Sequence, residues 1–147
     1  PRDVKPEVAD EEEEDDEFLT EEEKQEKKAA KVHQELADGA DRALNRWHEA
    51  QPVELRQSVI DSYVESGTLD HETAGVDELE VAVVQAAFTG HIERNILKPL
   101  GLTMDQWSEH IDEADLPEFR RAVVRGDWQL LTNHARAAAK MRLDLGI

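Results

Sequence analysis

The chain has 147 residues, no cysteine, and 35 acids against 17 Lys and Arg, for a formal net charge of -18. The lack of cysteine excludes disulfides, thiolate nucleophiles and cysteine zinc sites. No apolar stretch nears the ~18 residues of a membrane span, and so acidic a balance argues against nucleic acid, whose phosphates are held by clustered Lys and Arg.

The charge is unevenly spread. Residues 1–23 hold 13 acids against Arg2 and Lys5, a balance of -11. Residues 117–147 hold Glu118, Asp127 and Asp144 against Arg120, Arg121, Arg125, Arg136, Lys140 and Arg142, a balance of +3. The intervening 24–116 carry the remaining -10. The densest block is the unbroken run Asp10, Glu11, Glu12, Glu13, Glu14, Asp15, Asp16, Glu17, followed directly by Phe18 and Leu19. Carboxylates at this density repel one another and stay solvated, so 1–19 read as an acidic, disordered-looking arm. Its first residues, Pro-Arg-Asp-Val-Lys-Pro-Glu, show no apolar signal region.

Order is expected from Thr20. Thr20 to Glu23 form a capping box, with first-turn glutamates suited to the positive end of a helix dipole. Ala29, Val32, Leu36, Ala40, Ala43, Trp47 and Ala50 then recur at three- and four-residue steps. That spacing predicts a long amphipathic helix over about 20–50, its narrow seam docked on its own domain or on a partner. Gly39 is assigned to the polar side of that helix.

Pro52 opens a second helix to about 66, with Leu55, Val59, Ile60 and Tyr63 inward and Gly67 as its stop. Residues 67–76 lack periodicity and read as a loop. Asp77 starts the most apolar helix, through Val81 to Phe88 and on to Leu97, with Gly90 the expected kink and Pro99 with Gly101 the end. Thr103 and Gln106 cap a short helix carrying Trp107 and Ile111. A C-terminal pair follows over 116–125 and 127–145, with Arg142 on the apolar stripe of the second member. The expected fold is therefore all-α: about six helices in a small irregular bundle over 20–147, with 116–147 its mildly basic end.

Chemistry is sparse. His48-Glu49 lacks the second histidine of a zinc-protease helix, and His71-Glu72 falls in the predicted loop. His110, Asp112, Glu113 and Asp115 form a polar cluster with no spacing that demands a metal, and the acid run lacks the shaped, glycine-turned loop of a calcium site. No serine sits in a nucleophile elbow, and no glycine-rich phosphate loop exists. Neither a catalytic residue nor a cofactor is expected, and the chain reads as a non-enzyme.

What remains is interaction. The expectation is a non-catalytic helical assembly protein whose acidic arm contacts a basic protein surface, on a different protein or on another copy of itself. Charge steering of this kind raises association rates and selects orientation. The shape and charge suit a structural part of a larger assembly such as a viral capsid, scaffold or connector, in the cytoplasm or within a virus particle. The expected contact residues are Asp10 to Glu17, Phe18 and Leu19 at one end, and Arg136, Lys140 and Arg142 at the other. The alternative is an acidic inhibitor that mimics nucleic acid, a role for which a flexible-looking run is poorly suited.

Overall fold

A computed structural model of the chain describes residues 18–147. The chain divides into two compact units, 1–35 and 36–147. Helix α1, Glu21–Ala50, runs through the boundary. All regular structure among the described residues is helical.

In the first unit, Thr20 accepts a hydrogen bond from the Glu23 amide at 3.1 Å, which fixes the start of α1 where the capping signal placed it. Lys24 pairs with Glu21 at 3.7 Å. The seam residues Ala29 and Val32 are exposed here, Val32 by 55%.

The second unit begins with the buried stretch of the same helix. Ala40 and Ala43 are buried against Val84 and Ala87 of α4, Glu78–His91, with Leu36, Leu44, Val83 and Phe88 around them. Small side chains on both helices let the backbones approach closely. Gly39 belongs to this contact rather than to a polar side: a Cβ there would stand 3.4 Å from Val83.

Helix α2, Val53–Ser66, starts after Pro52 and ends at Gly67, whose φ of 77° closes the last turn. The segment expected to be a loop contains a one-turn helix, α3, His71–Ala74, ended by Gly75. Four residues are too few to show periodicity. The local signal is chemical: the Thr73 hydroxyl donates to the Asp70 carboxylate, and the Ala74 amide bonds to the Asp70 carbonyl at 3.0 Å. The Thr73 hydrogen bond, ahead of smaller backbone contributions, holds the Asp70 carboxyl below its ordinary pKa.

Helix α4 is continuous through Gly90. It passes at Ile92 into a π-helical turn, Ile92–Leu97, and then a 3₁₀ turn, Lys98–Leu100. Pro99 has no amide to continue the ladder, so the helix must end here. The π turn comes just before that end. Its wider winding turns Ile92, Ile96 and Leu97 all inward, whereas Val84 and Ala87 face α1. The segment from 78 to 97 thus joins the small α1–α4 cluster to the main core.

That core is built by α5, Met104–Ser108, α6, Leu116–Arg125, and α7, Trp128–Leu145, a 3₁₀ turn at Glu113–Asp115 preceding α6. The capping box of α5 is complete, with Thr103 and Gln106 bonding reciprocally. Trp107, Phe119, Val123, Leu131 and Ala135 close around the π turn. Leu97 and Ala135 have no exposed surface. Trp107 donates its indole hydrogen to His134 Nδ1 at 3.0 Å, and the Phe119 ring meets His134 edge-on at 4.8 Å. Accepting at Nδ1 means that His134 carries its hydrogen on Nε2.

Candidate interaction surfaces

The residues expected to make contacts fall into three groups. Asp10 to Glu17 lie outside the described residues. Phe18 is 86% exposed and Leu19 is half-buried. At the other end, Arg136 is exposed, Lys140 pairs with Asp144 at 2.9 Å, and Arg142 reaches Glu109 at 3.2 Å. The Arg142 side chain is only 15% exposed. Its stem continues the stripe of Leu131, Ala135 and Ala138 while its head meets a carboxylate, so it ties α7 to the end of α5. Of the three cations, only Arg136 is without a charge partner among the described residues.

Beyond Arg142 the helix leaves the core. Leu143, Leu145 and Ile147 are exposed by 64–80%. Leu145, the last residue of α7, is among them.

The tryptophans divide differently from one another. Trp107 is 4% exposed and belongs to the core. Trp128 is half-buried and meets the His91 ring at a 40° tilt, ring centroids 4.3 Å apart. Trp47 donates its indole hydrogen to the Ala74 carbonyl at 2.8 Å, which pins α3 against the end of α1.

Trp47 also lines a cleft of about 520 Å³ formed by α1, α2, α4 and α6. Leu44, Val59, Ile60, Phe88, Val123 and Val124 contribute apolar walls, and Tyr63, Gln85 and Thr89 supply the polar groups. Its volume lies within the ~300–1,000 Å³ typical of binding clefts. No sequence signal announces it, because its walls come from four helices spaced along some 80 positions, Leu44 to Val124.

Tyr63 is the titratable group of the cleft. Burial pushes its phenol above the ordinary 10.0, and the nearby Arg120 guanidinium offsets part of the rise. Because the folded state holds this proton more tightly, its contribution to stability is full below pH ~10 and is lost as pH climbs through the folded value. Tyr63 is the sole tyrosine. Ultraviolet titration of the native protein is therefore expected to give one phenolate transition above that of the urea-unfolded chain. Coincident transitions would mean the phenol is solvated.

No three His, Asp or Glu side chains gather as a metal-binding group among the described residues. His110, Asp112, Glu113 and Asp115 accordingly do not form a ligand cage. No helix among them is long and apolar enough to cross a membrane. Comparison with protein-family models, with curated proteins and with solved structures gives no match.

Proposed function

We propose that this chain is a non-catalytic interaction or assembly protein whose acidic segment engages a basic protein surface. The observation that carries the reading is the block of eight carboxylates at 10–17, which runs directly into an uncovered Phe18. Folding of a small helical domain does not require either feature. Together they combine a long-range steering charge with a short-range apolar anchor.

The exposed apolar end of α7 supports the same reading from the other end of the chain. Leu143, Leu145 and Ile147 lie beyond the core and are each more than half exposed, which leaves apolar surface for a partner to cover. Our specific proposal is a structural component of a larger assembly of the capsid, scaffold or connector kind, acting in the cytoplasm or inside a virus particle. No catalytic step is assigned to it.

The test is quantitative capture of partners from the producing cell by the intact chain and by a variant with 10–17 replaced by Asn and Gln. Recovery of basic partners is expected to fall roughly tenfold or more in the neutralised variant at low salt. Equal recovery of every partner would reduce the acid run to a solubility device. Displacement of DNA from a captured basic protein would point instead to nucleic-acid mimicry.

A further inference from the structure

The α6 wall of the cleft differs from the other three in charge. Val123 and Val124 line the cleft, and the same helix carries Arg120, Arg121 and Arg125 against Glu118 alone. Arg120 is engaged, its Nη1 donating to the Val64 carbonyl at 3.1 Å and the Glu65 carbonyl at 3.3 Å. Arg121 and Arg125 are exposed and make no ion pair among the described residues. Arg121 lies one helical turn before Val124, and Arg125 follows it directly. The helix that supplies Val123 and Val124 to the cleft thus also carries two cations without an ion pair among the described residues.

The chain contains a segment of matching chemistry. Phe18 and Leu19 are two adjacent apolar side chains, and the eight acids directly precede them. The α6 wall belongs to residues 117–147, which carry +3, opposite in sign to the run. Phe18 is 86% exposed.

We infer that the cleft between α1, α2, α4 and α6 takes up Phe18 and Leu19 of a second copy. Arg121 and Arg125 supply the charge opposite to that of the eight acids that precede Phe18 and Leu19 in the sequence. The inference rests on the reading of 10–17 as a contact segment and names the surface it meets. Donor and acceptor are different patches, so each copy can bind two neighbours, one at each patch. A heterologous contact of this kind builds rings or filaments rather than stopping at a dimer.

Sedimentation velocity of the purified full chain over a concentration series tests this, at about 0.05 M and about 0.5 M salt. At low salt the chain is expected to form species larger than a dimer, and high salt is expected to weaken association roughly tenfold or more. The variants Phe18→Ala/Leu19→Ala and Arg121→Glu/Arg125→Glu should each stay monomeric alone. Mixed, they should form a one-to-one dimer and nothing larger, because one supplies only the cleft and the other only the segment. Thr89→Trp, at the exposed lip of the cleft, should block association as the charge reversal does. Circular dichroism establishes that each variant is folded.

A wild-type chain that remains monomeric at low salt overturns the inference, and so do variants that associate as wild type does. Association undisturbed by Thr89→Trp places the contact away from the cleft and also overturns it. If self-association is absent while neutralising 10–17 still abolishes capture of a basic protein, this inference fails and the proposed function stands.

Discussion

Leu97→Ala is expected to lower the unfolding free energy by about 3–5 kcal/mol, the upper part of the range for a fully enclosed leucine. Leu97 has no exposed surface and lies in the π turn, at the junction of that turn with α6 and α7. Its neighbours Ile92 and Ile96 belong to the same turn, and Phe119, Leu131 and Ala135 come from the other two helices. Removing the side chain leaves a cavity that three elements would have to move together to fill. The penalty is therefore transfer plus unfilled space, against a total of about 5–15 kcal/mol for a domain of this size. Urea unfolding followed by tryptophan fluorescence reads it, since Trp107 shares the cluster. Leu79→Ala is the control: Leu79 is 69% exposed on α4, and its loss is expected to matter by less than about 0.5 kcal/mol. Similar losses for both would mean that the π turn is not the centre of the core.

The contrast between Leu97 and Leu79 shows what periodicity conveys. The apolar run of α4 identified a helix with apolar residues nearly all round, and capping residues set its start at Asp77. Which of those residues are buried depends on the elements opposite, which periodicity does not specify. Helix α1 makes the same point. Its seam was continuous in sequence from Ala29 to Ala50, yet Val32 and Ala50 are exposed whereas Ala40 and Ala43 are buried. The face was legible; the extent of its cover was not.

Local chemistry was read more successfully than long-range placement. Thr20, Asp77 and Thr103 act as the caps that their positions imply, and Asp127 caps α7 in the same way. The π turn was not foreseen, because it depends jointly on Pro99 downstream and on burial of three residues at once. The ionic partners of Lys140 and Arg142, two of the expected contact residues, differ in legibility, although each is a carboxylate in the fold. The Asp144 that holds Lys140 is a predictable neighbour four residues on. Glu109, 33 positions before Arg142, is not. The cleft could not be read at all, since it exists only once α1, α2, α4 and α6 are placed around it.

Gly67 and Arg120 are expected to behave as one unit, and a double-mutant cycle should reveal it. Gly67 ends α2 with φ at 77°, a conformation that costs other residues about 1–2 kcal/mol. A Cβ at this position would also stand 2.8 Å from Arg120 Nη2 and 2.9 Å from its Cζ. The guanidinium would have to move off the Val64 and Glu65 carbonyls that it caps. Gly67→Ala is therefore expected to destabilise by about 2–4 kcal/mol, combining backbone strain with weakened charged hydrogen bonds. Arg120→Met keeps an apolar stem but removes the donors, and is expected to destabilise by about 1–3 kcal/mol. In the double variant the guanidinium is no longer there to clash or to be displaced. The combined loss should fall short of the sum by about 1–2 kcal/mol, whereas sites without shared contacts add to within about 0.5 kcal/mol. Additive losses would show that Arg120 does not hold the end of α2. A second readout separates this role from general loosening of the fold. The Arg120 charge lowers the pKa of Tyr63 while burial raises it. Arg120→Met should therefore move the native phenolate transition further up, whereas a variant that merely opened the cleft to water would move it down toward 10.0.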